Sequence, residues 1–337
     1  MSRCDDSPLY DVWLGFVRGA ALSVADEIGL FEVLGGRTLS AEALARRLKA
    51  ASAGLDALLR VLASEGLVAA NGTGFRATES ARRYLRRVSP FYWGAALENA
   101  RQRPEHQRLL QALRTAEPGL VVGGKSVTRM WRQGELSRDV ARKFTRTMHA
   151  TIFPTASAAA ARGLFSRSRA LLDIGGGSGA FSLAAAKRHP RLRCTVFDLP
   201  AVCTIAQENA NRMRLGSRVL ARAGNFFSEA WPRDHDTVLF SNIFHDWQPD
   251  VCEELAAKAY ECLPPGGRIL VHEMLLNHDK LGPATPLHFS LLMFMNHRSQ
   301  QFTTAELRAI LKRAGFSGFS VRPTLGYYSM SIAVKSK

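Results

Sequence analysis

The chain has 337 residues, 46% of them apolar and 22% charged, and a net charge of +16. That length holds more than one hydrophobic core, and the composition excludes a disordered or collagen-like chain. No run of 18 apolar residues occurs, so no membrane-spanning helix is expected. Residues 101–170 contribute +10 of the net charge, and residues 1–100 only +1. A basic segment of this kind is either a solvated face or a field that draws an anionic partner. The five cysteines (Cys4, Cys194, Cys203, Cys252, Cys262) include no Cys-x-x-Cys pair, and residues 1–6 carry no apolar signal core. Both features point to a reducing, cytoplasmic setting without structural zinc.

In chain order, apolar periodicity predicts a helix over 14–33, interrupted at Gly29. Ser40 is placed to cap a second helix over 41–48, and 55–63 reads as a third. Two short strand-like runs, 67–70 and 75–78, flank Asn71-Gly72, a strong hairpin signal. Three helices and a hairpin form the pattern of a winged helix, which raises DNA binding as a rival function. The third helix, however, offers a groove only Asp56 and Arg60. A segment of net +1 is also a poor phosphate binder. Residues 91–115 read as helical with a break near Pro104, 119–125 as a loop, and 137–161 as a long helix carrying His149 and Phe153.

From Ala170 onward strands and helices alternate, the pattern of a parallel doubly wound sheet. The fold class is therefore α/β and Rossmann-like. Strands are expected over 170–174, 193–198, 219–223, 237–242 and 268–273, with a terminal pair at 318–322 and 328–334. Helices are expected over 180–188, 201–215, 250–262 and 304–314. The first strand runs into Gly175-Gly176-Gly177-Ser178-Gly179, where glycines let backbone N–H groups approach a ligand. Asp198 ends the second strand about 20 residues later, the place of a ribose-binding carboxylate. The loop has Asp173 in front and lacks the Gly-x-Gly-x-x-Gly spacing of dinucleotide sites. A carboxylate there repels a pyrophosphate and attracts an ammonium group, which favours S-adenosylmethionine over NAD. Asp173, Asp198, Asn225, His245 and Glu273 all fall at or just after predicted strand ends, the edge where such sheets bind ligands.

Four motifs in order, Asp173-Ile-Gly-Gly-Gly-Ser-Gly179, Phe197-Asp-Leu-Pro200, Gly224-Asn-Phe-Phe227 and His245-Asp-Trp247, resemble those of class I methyltransferases related to plant and bacterial small-molecule O-methyltransferases. The resemblance covers nearly the whole chain. It implies a winged-helix dimerisation domain over 1–100, and connecting helices with a Rossmann-like catalytic domain over 101–337. It implies a homodimer acting on a small-molecule acceptor, without nucleic acid or membrane partners. Carried over residue by residue, it places Gly175, Gly177 and Gly179 with Asp173 around the methionine part of S-adenosylmethionine, and Asp198 on the ribose. Asn225, in a position where the family usually has Asp, and Phe226 would flank the adenine, with Trp247 stacked on it. Leu199 and Ser241 complete the expected cofactor set.

Two reactions fit the remaining residues. In O-methyltransferases of this type, the residue matching His245 is the general base, suited by its near-neutral pKa. Glu273 matches the acidic group that orients it, and a second orienter aligns with the uncharged Gln301. The site also resembles α-keto acid C-methyltransferases of the phenylpyruvate type. There His245, Asp246 and His297 would bind a divalent metal, Fe or Zn, and Arg129 would hold the substrate carboxylate. A metal-chelated keto acid enolises more readily, so its β-carbon takes the methyl. This second reaction, with an anionic acceptor, is the expected one, because His297 replaces a commonly neutral residue and Gln301 removes a usual partner of the base. O-methylation of a phenolic or polyketide hydroxyl is the alternative.

Overall fold

The computed structural model describes residues 5–72, 74–115, 119–122 and 124–336. Helices α1 (Ser7–Trp13), α2 (Gly15–Glu27), α3 (Leu30–Leu34), α4 (Ala41–Leu48) and α5 (Ser52–Ser64) precede a hairpin of β1 (Val68–Asn71) and β2 (Gly74–Ala77). Helices α6 (Glu79–Tyr84), α7 (Gly94–Ala100) and α8 (Pro104–Arg114) follow, then β3 (Val121–Val122), β4 (Lys125–Ser126), α9 (Val127–Gln133) and the long α10 (Arg138–Ala161). The alternating part comprises β5 (Ala170–Ile174), α11 (Ala180–Arg188), β6 (Arg193–Asp198), α12 (Pro200–Arg212), β7 (Val219–Ala223), β8 (Thr237–Ser241), α13 (Pro249–Cys262) and β9 (Arg268–Met274). The chain ends with α14 (Ala284–His297), α15 (Thr304–Arg313), β10 (Phe316–Pro323) and β11 (Tyr328–Lys335).

Contacts divide the chain into two units, one built on Ser7–Val127 and Leu276–Thr303, the other on Thr128–Leu275 and Thr304–Lys337. By contacts, residues 101–127 group with the helical unit, as do residues 276–303. The reason is α14, in which 12 of 14 residues are buried. A helix apolar on every side has to be surrounded by other elements. In the helical unit it packs on α5, where a Cβ at Gly54 would collide with the ring of Phe294. In the same unit five helices rather than three precede the expected hairpin, which pairs Val68 with Ala77 and Asn71 with Gly74. Thr73, inside the turn, lies outside the described residues. The helix expected over 14–33 is two, because Gly29 adopts the left-handed conformation (φ 74°) between α2 and α3. Ser40 caps α4 as expected, its hydroxyl accepting the Ala43 N–H at 3.2 Å. The stretch 119–125, expected as a loop, contains the short β3–β4 pair, with Gly123 outside the described residues. Asp26, buried in this unit, is paired, as its desolvation demands. Asp26 accepts bonds from Tyr92 Oη (2.7 Å) and Arg101 (2.9 Å).

The other unit is a seven-stranded sheet in the order β10-β11-β9-β8-β5-β6-β7. Strands β9, β8, β5, β6 and β7 run parallel, and β10 and β11 add antiparallel to one edge. All five residues of β5 are buried, as expected of a central strand covered by helices on both faces. β6 lies on one side of β5 and β8 on the other, so the chain direction switches beside β5. Ligands bind at such a point, beyond the strands' carboxyl ends. Helix α12 ends three residues short of the expected 215, where Arg214 turns left-handed (φ 57°). Among the described residues no helix is long and apolar enough to cross a membrane. Cys194, Cys203, Cys252 and Cys262 are free and buried, and Cys4 lies outside the described residues.

Candidate active site

The glycine loop leaves β5 in a tight left-handed path, with Gly175, Gly177 and Gly179 at φ 62°, 58° and 76°. Glycine adopts such angles at the least steric cost. A Cβ at Gly175 would lie 2.5 Å from Ile243 Cδ1, whereas nothing lies within 4 Å of one at Gly177. The loop is thus packed at its root and open at its tip, as a cradle for a ligand requires. Gly175→Ala is expected to lower stability by about 1–3 kcal/mol through combined strain and overpacking. A melting temperature equal to wild type would contradict this packing.

Asp198 closes β6 beside the loop. Its Oδ2 accepts the Gly177 N–H at 2.9 Å, and its Oδ1 accepts the Leu199 N–H at 2.7 Å. Burial pushes its pKa up to about 6, against these two backbone bonds, which favour the charge. Asp173 lies within β5, 1% exposed, and its Oδ2 accepts the Ser182 hydroxyl at 2.8 Å. Burial pushes it up to about 7. A Cβ at Gly176 would come within 2.6 Å of the Asp173 carboxyl carbon. Asp173 is therefore a buried carboxylate set against Gly176 and bonded to Ser182 of α11, partners that the sequence did not reveal.

The loop after β7 is held by groups that the sequence did not reveal. Asn225 Nδ2 donates to the Arg132 carbonyl at 2.9 Å, and its Oδ1 accepts the Phe227 N–H at 2.9 Å. Its carboxamide thus fastens the loop. Lys258 of α13 donates to the carbonyls of Phe226 (2.6 Å) and Phe227 (3.1 Å), and Trp231 Nε1 donates to that of Phe226 (2.9 Å). In sequence, a lysine on a predicted helix reads as a solvated one. Phe226 lies close to the loop root, its ring 3.5 Å from a Cβ at Gly175. Trp247 is buried edge-on to Phe227, with ring centroids 4.6 Å apart. Leu199 packs with Ala141 and Val202. Ser241 is within 3.1 Å of His272 Nδ1, and His272 Nε2 meets Thr155 and Thr324 at 3.2 and 3.1 Å. Burial pushes His272 down to about 3, so it is a neutral, fully bonded core histidine.

His245 sits on a 3₁₀ turn, Phe244–Asp246, just after β8. The preceding Ile243 packs against the glycine loop root. Glu273, from β9, is fully buried, and its Oε2 lies 2.6 Å from His245 Nδ1. Its Oε1 accepts the His245 backbone N–H at 3.3 Å. Asp246 Oδ1 lies 3.6 Å from Nε2. Burial opposes protonation of the imidazole, but the charges of Glu273 and Asp246 and the bond to Glu273 outweigh it and hold the pKa above the ordinary histidine value. Burial pushes Asp246 up to about 7, against the pull of His245. A histidine oriented at Nδ1 by a buried carboxylate keeps Nε2 as its basic nitrogen.

A family model described as an O-methyltransferase domain matches residues 109–317, and one described as an O-methyltransferase dimerisation domain matches residues 10–87. The chain belongs to the O-methyltransferase family. The 3-hydroxy-5-methyl-1-naphthoate 3-O-methyltransferase of Streptomyces sahachiroi is 31% identical over 311 residues, covering 92% of this chain and 89% of that protein. The acetylserotonin O-methyltransferase of Bos taurus is 31% identical over 346 residues, 95% of each. Among solved structures, an O-methyltransferase family 2 protein from Planctomyces limnophilus, in complex with apigenin, aligns with a TM-score of 0.85 at 27% identity. The match covers 99% of this chain and 97% of that one. Human N-acetylserotonin methyltransferase in complex with S-adenosylmethionine aligns over the full length of both chains, at TM-score 0.62 and 26% identity. This O-methyltransferase family member is an S-adenosylmethionine-dependent methyltransferase with a class I fold and an N-terminal dimerisation domain.

The expected kinship with α-keto acid C-methyltransferases finds no support in these relatives. Among the described residues of this methyltransferase, no group of three or more His, Cys, Asp or Glu side chains is arranged to hold a metal ion. Among the described residues, no metal site is thus shown for the expected set of His245, Asp246 and His297. His245 and Asp246 are adjacent on one turn, with the imidazole engaged by Glu273. His297 ends α14 in the helical unit, and Gln301 lies beyond that helix in the same unit. Arg129 lies on an exposed part of α9.

Proposed function

We propose that this chain transfers a methyl group to the oxygen of a small aromatic or polyketide-like hydroxyl, with His245 as general base. The observation that carries this reading is the His245–Glu273 pair, buried at the carboxyl edge of the sheet with Nδ1 and Oε2 2.6 Å apart. The same arrangement supports no role for a metal ligand at Nδ1. The glycine loop and Asp198 are the groups to hold S-adenosylmethionine, with Phe226 and Trp247 on the adenine side. When bound, this cofactor supplies an electrophilic methyl on a sulfonium. His245 Nε2 takes the acceptor's hydroxyl proton as its oxygen attacks, and Glu273 and Asp246 stabilise the imidazolium that forms. Relatives that methylate a hydroxynaphthoate or acetylserotonin fit an aromatic hydroxyl. The +10 charge of residues 101–170 fits an acceptor with an acidic group. Exposed Leu9, Val12, Trp13 and Phe16 at the start of the chain suit a homodimer through the region matched as a dimerisation domain.

Labelled S-adenosylmethionine and a panel of a hydroxynaphthoate, N-acetylserotonin, a flavone and phenylpyruvate test the reaction. Methyl transfer to a hydroxyl, unchanged by exhaustive chelation, is expected. Transfer only to the carbon of the keto acid, lost on chelation, would overturn the proposal. The pH profile gives a second test. The base has to be neutral, so kcat/KM rises with pH through a limb set by His245. Its acidic partners raise that pKa, so Glu273→Gln is expected to move the limb to lower pH and to slow the reaction. A limb that stays in place would remove Glu273 from the pair.

A further inference from the structure

The tip of the glycine loop is gripped by side chains from two helices. Ser178 stands between the left-handed Gly177 and Gly179 and is 3% exposed. Its hydroxyl lies 2.8 Å from Nδ1 of His149 on α10. Its carbonyl accepts a bond from Asn209 Nδ2 on α12 at 3.1 Å. The His149 ring is stacked on Phe153 one turn along α10, with centroids 5.0 Å apart and planes 23° apart, which fixes its orientation. The next loop residue, Gly177, gives its N–H to Asp198. One hydrogen-bonded series therefore runs from α10 through the loop tip to the ribose-side carboxylate. Without a Cβ to restrict it, the backbone at Gly177 and Gly179 has little conformational preference of its own. External bonds have to set its shape.

We propose that His149 is a positioning residue that sets the glycine loop in its cofactor-binding shape by holding the Ser178 hydroxyl, and so tunes affinity for S-adenosylmethionine without touching the methyl acceptor. The proposal rests on the glycine loop being the cofactor cradle. Burial, aided by the charge of Arg212, holds the imidazole below the ordinary histidine range, so near neutral pH it pairs with a hydroxyl as a neutral ring.

The test uses the full chain with His149→Ala, His149→Gln, Ser178→Ala and the His149→Ala/Ser178→Ala double variant. Calorimetry with S-adenosylhomocysteine is expected to show about 3- to 10-fold weaker binding for each alanine variant, the worth of one hydrogen bond. The double variant is expected to be no weaker than the worse single one, because both substitutions remove the same bond. His149→Gln, which keeps a hydrogen-bonding head, should recover part of the loss. In steady-state kinetics of the His149 variants the KM for S-adenosylmethionine rises while kcat and the acceptor KM stay at wild-type values. A merely structural role would lower the melting temperature without this split. Equal affinity of wild type and variants, or losses that simply add in the double variant, overturns the proposal. Failure of the wild type itself to bind S-adenosylhomocysteine would instead overturn the cofactor assignment beneath it.

Discussion

Replacing His245 with alanine is expected to lower kcat by about 10²–10⁴-fold, the usual worth of a general base, with S-adenosylhomocysteine affinity changed by less than about twofold. The two effects separate because the His245 side chain is assigned to the acceptor's proton, while Asp198 on β6 and the glycine loop carry most of the assigned cofactor contacts. The substitution also leaves Glu273 buried without the imidazole at 2.6 Å, and an unpaired buried carboxylate costs about 3–5 kcal/mol. His245→Gln is therefore measured beside it, since an amide still donates to Glu273 but is not a base. Both variants are expected to be inactive, and the glutamine form to keep more of the wild-type melting temperature. Turnover within about tenfold of wild type in a folded His245→Gln protein is incompatible with general base catalysis by this residue.

Asp198→Ala has the largest expected effect on cofactor binding. The carboxylate accepts N–H bonds from Gly177 and Leu199, and the assigned ribose hydroxyls would add two more donors. Bonds to a charged acceptor are worth about 1.5–3 kcal/mol each, so the Kd for S-adenosylhomocysteine should rise at least about 100-fold. Asparagine is no rescue. With one backbone N–H on each oxygen, an amide nitrogen at either place faces another donor. The wild-type protein should show the same dependence through pH. Ribose bonds favour the ionised carboxylate, which in the free protein takes up a proton as pH falls through about 6. Affinity is then expected to hold above that value and to weaken by up to about tenfold per pH unit below it. A pH-independent Kd, or an alanine variant that binds within about twofold of wild type, would place the ribose elsewhere.

The parts of the fold that were legible in the sequence share one property: the information is local. Strands β5, β6 and β7 run over the predicted residues, because apolar runs end there at a glycine, an aspartate or a polar loop. Helices α4 and α11 likewise match, the first started by a serine cap and the second by a left-handed glycine. The glycine loop, Asp198 and the His245–Glu273 pair were readable from ordered motifs. Helix α14 was not. Its residues are apolar on all sides, so it has no polar face to set a period, and only burial inside the helical unit declares it.

The roles of polar side chains also depended on tertiary structure, because a side chain's partner is set by what the fold brings beside it. Asp173 showed nothing in sequence of its seat against Gly176 or its bond to Ser182. Asn225 showed nothing in sequence of the bond by which its carboxamide ties the loop to the Arg132 carbonyl. His245, Asp246 and His297 had the right donor types for a metal. Donor type is a property of sequence, but convergence of three donors on one point is a property of packing. Here the fold sets Nδ1 of His245 against Glu273, 28 residues away in the chain and on the neighbouring strand.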